Sequence, residues 1–167
     1  MGVFTGAPLW NWLYKRRDDM SILTEFNSIE AFLKTVLPDV TVTKHENPAA
    51  PSPHTLLLRL NSDARQSETN LLVRTEREYS LQLWSGSAEE TLETLDRLST
   101  ALYQTQLIPV LGAARFIRVR SFAFNPTSSI DPNLYTYTGI LRTEGRQART
   151  QESYEKIQHV YAQQITL

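Results

Sequence analysis

YSLQLWSGSAEETLETLDRLSTAL, Tyr79 to Leu102, is the stretch on which the fold class turns. Tyr79, Leu81 and Leu83 alternate with Ser80, Gln82 and Trp84, which is the two-residue period of a strand. Ser85-Gly86 interrupts the run. Ser87 followed by Glu90 is a capping box: the serine oxygen accepts an N3 amide, and the glutamate reaches back to the cap amide. Leu92, Leu95, Leu98 and Leu102 then recur at three- and four-residue spacing and predict one buried helical face. A strand that turns straight into an amphipathic helix points to an α+β domain.

Upstream, Asn27 with Glu30 reads as a second helix start, and Ile29, Phe32, Leu33 and Val36 form its apolar stripe. Pro38 ends that helix, because the residue before a proline avoids the helical region. Val40 and Val42 alternate with Thr41 and Thr43 as a short strand. Asn47 to Pro53 (NPAAPSP) holds three prolines and reads as a loop. His54 to Leu60 is strand-like, with Leu56, Leu58 and Leu60 on one face. Asn61 to Asn70 (NSDARQSETN) is polar but for Ala64 and too long for a tight turn, so the expectation is a hairpin of strands 54–60 and 71–84 with a long mobile tip.

Downstream, Leu107 to Gly112 turns the chain. Arg115 to Phe124 is a strand, with Ile117, Val119 and Ala123 on one face and Phe116, Arg118, Arg120 and Phe122 on the other. Asn125 to Asn133 reads as a loop around Pro126 and Pro132. Leu134 to Arg142 alternates as a further strand, and 143–152 is polar. The tail 154–165 fits a helix or a strand, with a lean towards strand from Val160-Tyr161 and Ile165-Thr166. Residues 1–24 read as an arm with a short helix around Trp10 to Arg16, and 25–167 as the single domain. Trp10 and Trp12 need burial on their own core or on a neighbouring subunit.

A chain of 167 residues, 41% hydrophobic and 21% charged, is large enough for one self-sufficient core. A net charge of −1 supplies no overall pull towards nucleic acid or anionic lipid. The absence of cysteine excludes disulfides, thiol nucleophiles and cysteine metal sites, and suits a reducing compartment. No apolar run has the length of a membrane span. The first residues do not form a signal peptide, since the apolar patch precedes Lys15, Arg16 and Arg17 instead of following them. Thirteen of the seventeen basic residues are arginine, which fits either lineage preference or an interface role.

No stretch carries a catalytic signature. His45-Glu46 with His54 offers a zinc-like or hydrolytic set, but a proline loop separates the histidines and no third ligand is evident. Two solvated loop histidines are the simpler reading. Ser85-Gly86-Ser87 follows a strand and opens a helix, yet lacks the G-x-S-x-G frame of a nucleophile elbow, and Ser87 is better used as a cap. Arg115, Arg118 and Arg120 beside Phe116 and Phe122 suggest a stacking strand for nucleic acid, without a ribonucleoprotein motif. Glu89, Glu90 and Glu93 complement the dipole of their helix rather than form a metal cluster.

Element order, size, YSLQLWSGSAEETLETLDRLSTAL and the later strand YTYTGILRT resemble the tail terminator, or tail completion, proteins of long-tailed bacteriophages and phage-derived contractile particles. The resemblance spans residues 26–165 and leaves the arm outside it. It implies an α+β (α/β sandwich) fold: a mixed, mainly antiparallel sheet with a long-tipped hairpin, packed by two main helices. It implies a non-enzymatic structural virion protein without cofactor or metal, assembled in the host cytoplasm and placed in the tail or neck. Such a protein forms a homohexameric ring that ends tube polymerisation and gives the head connector its docking surface. The implied partners are the chain itself, the tail tube protein and a head-tail connector or neck protein, with a sheath protein as a further candidate. No membrane and no specific nucleic acid are among them. Another head-tail completion protein, or a small hydrolase using His45, Glu46 or His54, are the alternatives. Interface positions expected on this reading are Trp10, Trp12, Arg65, Glu68, Arg115, Arg118, Arg120, Glu89 and Glu90. Removing residues 62–69 is expected to leave the monomer folded and impair capping.

Overall fold

The computed structural model describes residues 21–127 and 134–149. The expected helix at Trp10 to Arg16, the two tryptophans and the tail 154–165 lie outside them. Helix α1 spans Ile22–Val36 and starts earlier than Asn27 suggests, because Ser21 is its cap: Ser21 Oγ accepts from Thr24 N at 3.1 Å. The apolar stripe begins with Phe26 and continues through Ile29 and Leu33, while Asn27 points outward and accepts from Lys44 Nζ. Pro38 stops the helix as expected, with Leu37 as C-cap and its N–H bonded to Leu33 O.

Strands β1 (Thr41–Lys44), β2 (Thr55–Ser67) and β3 (Leu72–Ser85) follow, then helix α2 (Ala88–Thr105), then β4 (Leu107–Pro109), β5 (Phe116–Thr127) and β6 (Tyr135–Ala148). They form a six-stranded sheet in the order β1-β2-β3-β6-β5-β4, parallel only between β1 and β2. Both helices pack on one face of it, an α+β architecture as expected. The buried layer between them joins Ile29 and Leu33 of α1, Leu95, Leu98 and Leu102 of α2, and Leu56, Leu58, Tyr79, Leu81, Ile117 and Leu141 of the sheet. Each fully buried leucine contributes about 1.5–3 kcal/mol relative to exposure, so this layer fixes which face carries the helices.

Ser87 caps α2 as read from the sequence, its Oγ accepting from Glu90 N at 3.2 Å. The buried stripe, however, is Thr91, Leu95, Leu98 and Leu102, and Leu92 is 46% exposed. Thr91 takes the core position because its hydroxyl is satisfied inside the helix, by Ser87 O at 2.7 Å.

The long hairpin is not a mobile tip. β2 continues through the polar run to Ser67, and only Glu68 to Leu71 turns. Ser62–Ser67 pairs with Val73–Glu78, which pairs in turn with Arg142–Gln147; β5 follows β6 only as far as Glu144, so Arg65–Ser67, Val73–Thr75 and Gly145–Gln147 continue as a three-stranded ribbon that adds no residue to the apolar core. With both faces polar, this strand has no apolar alternation to reveal it. A bulge at Asn61, between Leu60 and Ser62, shifts the alternation by one. Asp63 consequently shares the helix face with Leu56, Leu58 and Leu60.

A second bulge, at Arg120 between Val119 and Ser121, rephases β5. Ile117 and Val119 are buried as expected, but Phe122 is buried and Ala123 exposed, the reverse of the unbroken alternation. Phe122 lies over Gly139 of β6, where an added Cβ would stand 2.6 Å from Phe122 Cε2. β5 also runs to Thr127 instead of yielding to a loop at Asn125. Pro126 is accommodated because β4 covers only Phe116 to Arg118, leaving the strand an edge there.

Candidate functional site

On the helix side, a buried ion cluster ties α1 to the base of the ribbon. Glu25 and Arg77 are almost wholly inaccessible, and Arg77 Nη1 contacts Glu25 Oε1 as an ion pair. Arg77 Nε donates to Asp63 Oδ1 at 2.8 Å, and the Tyr79 hydroxyl donates to Glu25 Oε2 at 3.3 Å. Burial and the Glu25 charge push the Tyr79 phenol far up, so it stays a donor. Burial pulls the Arg77 guanidinium down, but Glu25 and Asp63 outweigh it and raise it above its ordinary value. The cluster is an ion-pair clamp within one chain, in which the buried Arg77 Nη1 is held to Glu25 by charge without an aligned hydrogen bond.

Among the described residues no helix packs on the opposite face of the sheet. Register places Glu76 and Glu78 of β3, Arg142, Glu144 and Arg146 of β6, and Arg118 of β5 on it. Arg142 Nε reaches Glu78 Oε2 at 2.9 Å, and Glu144 lies between Arg120 (3.2 Å) and Arg146 (3.3 Å). Arg146 also grips Glu68 at the ribbon turn in bidentate fashion, at 2.7 and 2.9 Å, and this holds the Glu68 carboxyl below its usual range. Arg74 pairs with Glu76 at 2.9 Å. A shallow cavity of about 390 Å³ lies here, with Ser62, Glu76, Glu78, Arg120, Ser121 and Arg142 on its walls. Beyond the charges, Leu57, Trp84 and Leu134 form a small apolar cluster of their own.

Of the expected interface residues, the structure groups some and separates others. Arg65 sits on the ribbon 3.4 Å from Asp63, and Glu68 is at its turn. Arg118 and Arg120 lie together on β5, and Arg115 just precedes that strand. Glu89 is exposed in the first turn of α2, and Glu90 is 2.9 Å from His54 Nδ1. His45, Glu46 and His54 are not assembled: His45 stacks on Phe26 at the far end of β1 from His54, with ring centroids 4.5 Å apart, while His54 faces α2. Among the described residues no group of three histidines and acids could hold a metal, and no helix is long and apolar enough to cross a membrane.

Glu25, Asp63, Arg77, Glu144 and Arg146 escaped the sequence reading. Arg142, Glu144 and Arg146, two residues apart, did carry the signal of one strand face bearing alternating charge. Asp63 carried none, since a bulge that no apolar pattern marks sets its direction. No protein-family model and no curated protein matches the chain. Among solved structures, a protein without a descriptive name shares 12% identity, aligned over 78% of this chain and 94% of its own, with a TM-score of 0.45. A likeness at that level carries no argument about function.

Proposed function

We propose that this chain is a structural virion protein of the tail-terminator kind, acting as a ring that caps the tail tube and presents an interface to the head connector. The resemblance of Tyr79–Leu102 and YTYTGILRT to that family supplies the reading. The observation that carries it is the ribbon of β2, β3 and β6, which continues beyond β5, adds nothing to the apolar core and is tied at its turn by the Glu68–Arg146 ion pair. An arm pre-ordered in this way loses little freedom when it docks between neighbours or against a tube, and that favours assembly by shape over covalent chemistry. At its turn, Leu71 is 58% exposed, an apolar side chain at the end of a polar arm.

Location in the tail or neck, and contact with tube and connector proteins, follow from this reading. The test shortens the excision first expected at 62–69, because Asp63 belongs to the buried clamp and 62–67 is strand. Replacing Glu68–Leu71 by a two-residue turn keeps the clamp. The expected result is an unchanged monomer fold with lost capping of purified tail tubes in negative-stain images. Capping at wild-type efficiency would contradict a docking role for the ribbon.

A further inference from the structure

The chain carries two exposed surfaces of complementary charge, one centred on the start of α2 and one on the other side of the sheet. The first is the outward side of α2. Leu92, Asp96 and Tyr103 follow one another at helical spacing; Leu92 is 46% exposed, while Tyr103 at the far end is anchored to β5, its hydroxyl accepting from Phe122 N at 3.0 Å. Glu89 and Glu93 flank Leu92 and are exposed, so the apolar stripe is bordered by acid, with Arg97 round the helix as the one opposing charge on α2. The second lies on the side of the sheet away from α1 and α2, at the β4–β5 edge. Leu107 stands opposite Arg118 and Pro109 opposite Phe116, which puts all four on one face. Phe116 is 58% exposed and Leu107 45%. Arg118 and Arg120 border this patch with positive charge, and Glu144, which balances Arg120, is itself buried.

We infer that these two surfaces bind one another between copies of the chain: the Phe116–Arg118 edge of one protomer seats on the Leu92 stripe of α2 in the next. The inference rests on the ring reading above and assigns its subunit contact. Charge complementarity chooses the occupant. Acid meets arginine in the unlike pairing, whereas two α2 stripes, or two β5 edges, would bring like charges together. The contact is therefore heterologous, and a heterologous contact propagates head to tail until it closes a ring. In each patch an exposed aromatic or aliphatic side chain sits inside a charged border, the arrangement of an anchor with a polar rim.

The test is a charge swap read by light scattering across a concentration series. One variant carries Glu89→Lys, Glu93→Lys and Asp96→Lys; the other carries Arg118→Glu. All four side chains are exposed, and unchanged thermal melts check that the fold is kept. Each variant alone is expected to self-associate roughly tenfold or more weakly than the wild type, and an equimolar mixture to recover assembly. Leu92→Ser, which leaves every charge in place, is expected to weaken assembly as well. Wild-type association that neither charge variant disturbs overturns this contact and leaves the ring reading standing. A wild-type chain that stays monomeric even with tail tubes overturns both.

Discussion

Gly139 is required by what lies over it: a methyl group there would push into the Phe122 ring at 2.6 and 2.8 Å. Gly139→Ala is expected to cost about 1–3 kcal/mol, read as a lower urea midpoint with unchanged slope. A neutral result would mean that the ring moves aside freely. Arg77 is a different case, a charge held inside the fold by Glu25 and Asp63. Arg77→Met alone leaves Glu25 buried without its counter-ion and is expected to cost about 3–5 kcal/mol. Adding Glu25→Leu should return most of that loss, because the pair's attraction largely offsets its desolvation. Should the double variant be as unstable as the single, the clamp contributes more than pairwise charge. Glu30 makes a titratable contribution. Burial pushes its carboxyl up, but Lys34 and Lys44, at 2.8 and 2.6 Å, outweigh it and hold it below the ordinary 4.5. A lowered acid stabilises fully above its unfolded pKa, and that stability is lost as pH falls through the folded value. Glu30→Gln should therefore be less stable than wild type near neutrality and converge with it in acid, in denaturation followed against pH.

Helix α2 and strand β3 were legible in the sequence because each states its period and its boundary: alternation ending at Ser85-Gly86, then a cap at Ser87. Ser87→Ala is expected to cost about 1 kcal/mol, measured by chemical denaturation. The helix stop at Pro38 and the proline loop at 47–53 were legible for the same reason, being punctuated by residues with fixed backbone preferences. The rest was hidden by two physical causes. A polar strand such as Ser62–Ser67 is held by its backbone ladder, by the Asp63–Arg77 ion pair across the hairpin and by a hydrogen bond from Arg149 to Ser67, so its own residues do not separate it from a loop. Bulges at Asn61 and Arg120 insert one residue and invert everything after them, which is how Phe122 and Ala123 exchanged sides. The interface positions suffered likewise: Arg118 could be placed on a strand face, but Glu68 is tied to Arg146 across 78 positions of sequence. At the ribbon turn, Leu71→Ser should shift stability by less than about 0.5 kcal/mol while weakening assembly. A large loss of stability instead would make Leu71 part of the core.

The sheet as assembled has two unlike sides, one sealed by helices and one bearing paired arginines and glutamates, with a three-stranded ribbon continuing beyond β5. Two unlike sides are what the proposed closed head-to-tail assembly needs and a two-fold dimer does not. Salt should weaken the proposed assembly, since the contact inferred for it pairs exposed charges. The direct measurement is the mass of the purified chain by light scattering over a concentration series, with negative-stain images of the same fractions, alone and with tail tubes. A ring of about six protomers, formed in solution or on the tube end, is the result expected. A monomer at every concentration that leaves tubes uncapped would contradict it.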